Sequence, residues 1–190
     1  TASEDNSLLD RGGRSHNGFV YTLSNQTDGN EVLAYERGTD GTLSYVASYS
    51  TGGNGTGGGL GNQGAVVIGG DDGNNILLAV NPGSNTISSF RINRDGSLTL
   101  RSTRSSGGTT PVSITMSDRL VYVLNSGGDG NITGFHIGES GTLAPLPNST
   151  RPLSSNAAGA AEIAFVRNGR VLVVTEKATN KIITYTIAPS

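Results

Sequence analysis

The sequence predicts an all-β protein that repeats one short antiparallel unit four times. Its apolar residues occur in short runs or alternate with polar residues, which is typical of strands, and no window has a sustained helical period. Turns separate the runs, and Gly alone accounts for 29 of the 190 residues. Three or four strands in each unit of about 48 residues indicate a β-propeller, in which every unit is a four-stranded antiparallel blade. The chain should therefore hold about 3.5 to 4 blades.

The clearest copy of the repeat is Leu120–Leu146, with the sequence LVYVLNSGGDGNITGFHIGESGTLAPL. The other copies are Phe19–Val46, Ile76–Leu100 and Arg170–Ser190. One aromatic residue marks the same place in all four, with spacings of 55, 45 and 50 residues: Tyr35, Phe90, Phe135 and Tyr185. A turn glycine follows six residues after the first three aromatics, at Gly41, Gly96 and Gly141. The fourth copy would need this glycine at position 191, so we expect its blade to lack a final strand.

The repeats also divide the chain into segments. Residues 1–17 are polar apart from one Leu pair, and we expect a flexible leader there. Residues 18–190 are predicted to form a single propeller or half-propeller domain. Its blades should cover approximately residues 18–50, 65–103, 111–149 and 160–190.

Loop lengths predict which face of the propeller carries function. If the strands of a blade are named a to d, the b–c and d–a connections share one face. The d–a connections are long and irregular, at residues 50–64, 104–110 and 148–161, whereas the a–b and c–d turns are short. Variable loops on a rigid scaffold are where binding usually resides, so we expect any site on this loop-rich face. Its most biased segment, TGGNGTGGGLGNQG at residues 51–64, is either a flexible connection between blades or a ligand-facing loop.

Composition excludes several functions. The absence of Cys removes thiol catalysis and cysteine-ligated metal sites, and a net charge of −2 with scattered signs gives no surface for nucleic acid or membrane.

His136 aligns with Glu36, Arg91 and Thr186 in the other repeats, which predicts a solvent-facing position. The acidic turns at residues 71–74 and 128–131 could hold Ca²⁺ through oxygen ligands, but Asx-turn stabilisation explains them adequately, so no cofactor or metal is expected. Sequons at Asn25, Asn54, Asn131 and Asn148, and a start without Met, favour secretion.

The recurring pattern V-x-N, N-x-I-x-x-F-x-I and D-G-x-L resembles a known family. It is carried by Val80-Asn81, Asn85-Thr86-Ile87, Phe90-Arg91-Ile92 and Asp95-Gly96-Ser97-Leu98. The resemblance is to the lactonase-type seven-bladed propellers, which include 6-phosphogluconolactonases and carboxymuconate cyclase-like proteins, and it covers roughly residues 18–190. Seven such blades need about 330 residues, so this chain resembles about half of the propeller.

The resemblance also suggests site residues. Catalytic members have Arg and His where this chain has Ala161 and Glu162, and their downstream Glu corresponds to Glu176. We therefore take Glu176 and Glu162 as the catalytic candidates, because a pair of carboxylates can form an acid–base couple. The polar residues expected to bind a ligand near them are Arg151, Lys177, Asn81, Asn125 and Thr175. The last three are predicted to end the b strands of their blades.

Two functions remain open at this stage. The first is a secreted lactonase-like hydrolase or cyclase that acts on a small sugar lactone or carboxylated lactone through the loop-rich face. The second is a propeller without catalysis that serves as a binding or surface protein. An unfinished final blade leaves a strand edge and a blade face uncovered. The chain is therefore expected to associate with a second copy or with a missing C-terminal half.

Overall fold

The computed structural model describes residues 18–70 and 75–187, and these residues form fifteen strands in four antiparallel sheets. The prediction of an all-β propeller is confirmed. The leader at residues 1–17 and the acidic turn at residues 71–74 lie outside the described residues. The described residues include no helix with the length and hydropathy needed to cross a membrane.

Each sheet is one blade of sequentially adjacent strands. Blade 1 contains β1 (Gly18–Leu23), β2 (Glu31–Arg37) and β3 (Leu43–Ser50). Blade 2 contains β4 (Val66–Gly69), β5 (Ile76–Asn81), β6 (Thr86–Ile92) and β7 (Leu98–Ser105). Blade 3 contains β8 (Thr109–Ser117), β9 (Leu120–Gly127), β10 (Asn131–Ile137), β11 (Leu143–Pro145) and β12 (Arg151–Pro152). Blade 4 contains β13 (Ala160–Val166), β14 (Val171–Glu176) and β15 (Lys181–Thr186).

The tight turns between strands c and d follow from their sequence. In blade 2 the backbone amide of Ser97 donates a hydrogen bond of 3.1 Å to the Asp95 carboxylate. Gly96 completes this turn with a φ of 78°, a conformation that other residues rarely adopt. The side-chain and backbone hydrogen bonds from Ser97 hold the pKa of Asp95 below its ordinary value. Blade 1 uses the same arrangement at Asp40 and Thr42.

Three hydrophobic cores lie between neighbouring blades. Val32 of blade 1 packs with Leu77 and Phe90 of blade 2, while the other face of blade 2 packs against blade 3. The third core joins Leu124 of blade 3 to Leu172 of blade 4. Each blade is too thin to bury both of its faces alone, so its stability depends on its neighbours.

The a strands of blades 2, 3 and 4 run side by side at the inner edge of these cores. The amide of Ile114 in β8 donates to the carbonyl of Gly64 just before β4, at 2.8 Å. The amide of Ile163 in β13 donates to the hydroxyl of Ser113 in β8, at 3.2 Å. His136 in β10 is exposed, as the repeat comparison predicted.

Candidate functional site

The loop-rich face is organised by the glycine-rich strap, which comprises residues 51–64 and connects blade 1 to blade 2. Asn25 in the b–c turn of blade 1 donates through Nδ2 to Thr56 Oγ1 at 3.0 Å and to the Gly58 carbonyl at 2.6 Å. The amide of Gly83 in the b–c turn of blade 2 donates to the Asn54 carbonyl at 2.9 Å. These contacts place the b–c turns and a d–a connection on one face, as the loop analysis predicted.

Hydrogen bonds with both blades hold the strap on the loop-rich face. Its interpretation as a flexible connection or as a ligand-facing loop stays a prediction. Close approach explains one of its glycines. A Cβ atom at Gly55 would lie 2.2 Å from the Asn25 carbonyl carbon, which no side chain could tolerate.

The far end of the strap reaches blade 4. The Lys177 ammonium donates to the Gly61 carbonyl at 2.9 Å and to Asn62 Oδ1 at 3.0 Å. The next residue, Gln63, donates through its amide to the Ala161 carbonyl at 3.4 Å. The strap tip therefore contacts both Lys177 and the peptide immediately before Glu162. Sequence reasoning did not identify Asn62 or Gln63, because nothing in a glycine-rich segment reveals a partner in another blade.

Glu162 lies in β13 directly opposite Thr175 of β14. A β-bulge at Ala161 sets this register, because Ala160 pairs with Glu176 and Glu162 then pairs with Thr175. The Glu162 side chain is half-buried, and within residues 18–70 and 75–187 no group donates a hydrogen bond to its carboxylate. Glu162 therefore offers a carboxylate that is available to a ligand or a water molecule.

Glu176 has a different environment. It is only 3% exposed, and its carboxylate accepts hydrogen bonds from the Ser154 amide at 2.9 Å, from the Ser154 hydroxyl and from the Thr179 hydroxyl at 2.5 Å. Burial acts to raise its pKa, but these hydrogen bonds and the charge of Lys181 outweigh burial, so the pKa of Glu176 is lowered. Glu176 is thus an ionised anchor that joins the loop before blade 4 to the b–c turn of that blade.

The two carboxylates do not form a couple. Glu162 pairs with Thr175, and the side chains of consecutive strand residues point to opposite faces, so Glu162 and Glu176 occupy opposite faces of blade 4. Among the described residues no hydrogen bond joins them, and no group of three or more acidic or His residues could hold a metal ion. Their individual catalytic roles stay predictions.

In blade 4 the b strand ends one residue later than predicted, at Glu176 and not at Thr175. The b-strand residue that pairs with the first residue of strand c is Asn81 in blade 2, Asn125 in blade 3 and Glu176, not Thr175, in blade 4. Asn81 and Asn125 are fully buried. Asn81 accepts a 2.9 Å hydrogen bond at its side-chain Oδ1 from Asn30 Nδ2 of blade 1, and Asn125 donates through Nδ2 to the Ser106 carbonyl at 3.2 Å. These residues therefore join loops and blades, and their contact with a ligand stays a prediction.

Arg151 is separated from the Glu162 side of blade 4. Its guanidinium donates to the carbonyls of Asn148 and Thr150, at 2.8 and 2.7 Å. It lines a groove of about 480 Å³ between blades 3 and 4, beside Tyr122 and Tyr185. Burial and the negative charge of Glu176 raise the pKa of the Tyr185 phenol to about 12. The structure thus brings together Glu162, Thr175 and Lys177 near the strap tip, but not Arg151.

The fold and the site define a class of protein: a β-propeller whose polar groups gather where the loops meet its inner strands. The sequence pattern of the family described as Lactonase, 7-bladed beta-propeller, matches residues 14–151. The chain belongs to this family, and the resemblance found in the repeats is confirmed. Comparison with curated protein sequences found no match.

Solved structures support the same fold. A Bacteroides fragilis protein described as a candidate 6-phosphogluconolactonase is similar with a TM-score of 0.69 and 16% identity, over 90% of this chain and 51% of that chain. A periplasmic gluconolactonase from Pseudomonas aeruginosa is similar with a TM-score of 0.61 and 16% identity, over 89% of this chain and 50% of that chain. A Lactobacillus plantarum protein has a TM-score of 0.66, 16% identity and coverage of 90% and 50%. The chain spans about half the length of these structures.

Proposed function

We propose that this protein is a secreted lactonase-type propeller that opens the ring of a small sugar lactone or carboxylated lactone. The observation that carries the proposal is the half-buried Glu162 carboxylate, which has no hydrogen-bond donor among the described residues. The residue before it, Ala161, accepts a hydrogen bond from the strap, whose tip is held by Lys177. Membership of the lactonase family and the similarity to gluconolactonases supply the reaction class.

In this mechanism Glu162 acts as the general base. It accepts a proton from a water molecule while the water oxygen attacks the carbonyl carbon of the lactone. The tetrahedral intermediate then breaks its ring C–O bond, and Glu162 returns the proton to the departing oxygen to give the hydroxy acid. Lys177 is exposed and cationic, so it can attract the carboxylate or phosphate of an acidic substrate.

Glu176 acts as a positioning residue in the same proposal. Its ionised carboxylate fixes Ser154 and Thr179, and these hold the long loop and the b–c turn that flank Lys177. Direct catalysis by Glu176 would first require the release of at least one of these hydrogen bonds.

The test compares lactone hydrolysis by the wild type, Glu162→Gln and Lys177→Ala, with a protein-free blank for spontaneous opening. We expect Glu162→Gln to lower kcat by about 100-fold or more, because general-base catalysis typically contributes at least that factor. Lys177→Ala should raise KM for 6-phosphogluconolactone more than for the uncharged gluconolactone. Glu139→Gln is the control, because Glu139 is exposed in the c–d turn of blade 3, on the face opposite the loop-rich face. This variant should leave the hydrolysis of both lactones unchanged. Unchanged turnover in Glu162→Gln would contradict the proposal.

A specific observation favours a second candidate, a propeller that binds a small molecule without turnover. Glu176 is fully engaged in hydrogen bonds, and it shares no face with Glu162, so blade 4 offers only one available carboxylate. Calorimetric binding of a sugar acid or lactone, with hydrolysis no faster than in the blank, would select this candidate.

Secretion is supported by the exposed sequon residues Asn54 and Asn148, and it predicts glycans there when the protein passes through a eukaryotic secretory pathway.

A further inference from the structure

The strap tip, residues 61–63, lies between two fixed points of the chain. Before it, the Leu60 side chain is partly buried against the core that blades 2 and 3 share. After it, the Gly64 carbonyl accepts a 2.8 Å hydrogen bond from the Ile114 amide of blade 3. Gly61 itself has a φ of 62°, and glycine leaves or adopts such a conformation at little cost. The tip can therefore move while the rest of the strap stays in place.

Lys177 holds the strap tip through two neutral oxygen atoms. Its ammonium group donates to the Gly61 carbonyl at 2.9 Å and to Asn62 Oδ1 at 3.0 Å. Lys177 is exposed, and it forms no ion pair with any residue in the ranges 18–70 and 75–187. An ammonium group has three donors, so the strap occupies two of the three. The positive charge of Lys177 is thus engaged by the strap but not neutralised.

An anion needs the same donors. A carboxylate or phosphate oxygen forms a charge-assisted hydrogen bond with an ammonium group, and such a bond is about twice as strong as a bond between neutral groups. Only one donor of Lys177 is left, so a second anion oxygen can bind only if a strap oxygen gives up its donor. The Gly61 carbonyl and Asn62 Oδ1 also carry partial negative charge, which repels an anion. The anion and the closed tip therefore compete for Lys177.

The other attachment of the tip to blade 4 is weaker. The Gln63 amide donates to the Ala161 carbonyl at 3.4 Å, which is beyond the usual range for such hydrogen bonds. Within the part of the chain that the structure describes, this is the one hydrogen bond that would still join the tip to blade 4 after Lys177 is released. Because Ala161 directly precedes Glu162, loss of this bond uncovers the backbone next to the proposed base.

We infer that an anion opens the strap: a carboxylate or phosphate bound to Lys177 displaces the Gly61 carbonyl and Asn62 Oδ1, and the tip then leaves Ala161. The anion is the acidic group of the lactone, so in this respect the inference rests on the proposed function. An uncharged lactone leaves the tip closed. Asn62 is then a specificity-determining residue. Because opening and binding are linked, any change that weakens the closed tip must strengthen anion binding.

Calorimetry can test this link with 6-phosphogluconate, an anionic acid that has no lactone ring to open. Asn62→Ala removes one competing oxygen and should bind the acid about fivefold more tightly than the wild type, the factor that one ordinary hydrogen bond represents. Lys177→Ala should bind it at least tenfold more weakly, about the effect of one charge-assisted hydrogen bond. Asn54→Ala is the matched control, because Asn54 lies in the same strap with an exposed side chain, and its affinity should be unchanged. Unchanged or weaker binding by Asn62→Ala, or no binding by the wild type, would overturn the inference.

Amide hydrogen exchange reports the movement itself. The Gln63 amide should exchange faster in the presence of 6-phosphogluconate, whereas sorbitol, an uncharged polyol, should leave its rate unchanged. The Gly57 amide, which donates to the Asn25 carbonyl at 2.8 Å in the fixed part of the strap, is the internal control. Slower exchange at Gln63 would show that the tip closes on the anion, contrary to the inference.

Neither measurement requires turnover, so the two ideas can fail separately. A protein that opens its strap but hydrolyses no lactone contradicts only the proposed function. A protein that hydrolyses acidic lactones while the tip stays closed contradicts only the opening of the strap.

Discussion

Replacement of Glu176 by Gln should destabilise blade 4 in a pH-dependent manner. The carboxylate accepts hydrogen bonds from the Ser154 amide, the Ser154 hydroxyl and the Thr179 hydroxyl, and it is nearly fully buried. A hydrogen bond to a charged group contributes about 1.5–3 kcal/mol, and Gln keeps one acceptor oxygen but turns a donor towards the other donors. Because the three contacts share one group and are not additive, we expect a loss of about 2–4 kcal/mol in the free energy of unfolding at pH 7.

The lowered pKa of Glu176 determines how its stabilising effect changes with pH. Since folding lowers the pKa of Glu176 below its ordinary value of 4.5, the stabilisation is fully present above that value and is lost as pH falls through the folded pKa. Urea unfolding should therefore show a large difference between wild type and Glu176→Gln at neutral pH and a shrinking difference in acid. Glu139→Gln is the control, because its salt bridge with Arg119 is exposed and contributes little. A Glu176→Gln protein as stable as the control variant at pH 7 would refute the anchor role.

Further predictions concern packing, the groove and the strap. Leu143→Ala should cost about 2–5 kcal/mol in unfolding free energy, because Leu143 is 2% exposed. Leu43→Ala at the matching position of blade 1, which is 51% exposed, should cost far less, and equal losses in urea unfolding would contradict the argument from burial. The Tyr185 hydroxyl donates a 2.8 Å hydrogen bond to the Pro152 carbonyl of blade 3, so Tyr185→Phe should lower the free energy of unfolding by about 1 kcal/mol. The substitution should also remove the tyrosine that ionises at about pH 12 in an ultraviolet titration. An unchanged titration curve would contradict the raised pKa of Tyr185. Gly55→Ala should displace the strap from Asn25 and accelerate limited proteolysis within residues 51–64. If the variant is cleaved at the wild-type rate, the close approach of Gly55 to Asn25 is absent.

Most of the fold could be predicted because each blade is determined by local sequence patterns. In blades 1 to 3 a turn glycine follows the aromatic of strand c by six residues, as Gly96 follows Phe90, and each feature depends only on its own turn chemistry and strand face. The exposed position of His136 was likewise predictable, since four repeats sample the same strand position.

The candidate site was less predictable because its register depends on one irregular residue. The bulge at Ala161 decides whether Glu162 faces Thr175 or Glu176, and a one-residue slip moves a side chain to the other face. Glu176 accepts hydrogen bonds from Ser154, which lies in a loop whose sequence has no repeat pattern. The contact between Lys177 and Asn62 joins residues 115 positions apart, and such a pairing leaves no local trace in a single sequence.

The glycine-rich strap has a consequence for how the molecule comes apart. A repeat protein whose units touch only their neighbours is expected to fray from its ends, one unit at a time. Here the segment that follows blade 1 is hydrogen-bonded to Lys177 of blade 4, across 116 residues of sequence. Detachment of blade 4 would therefore break the hydrogen bond that restrains the strap after blade 1. Partial unfolding of blades 1 and 4 should thus be correlated, and amide hydrogen exchange in β1 and β14 should respond together to a change at Lys177.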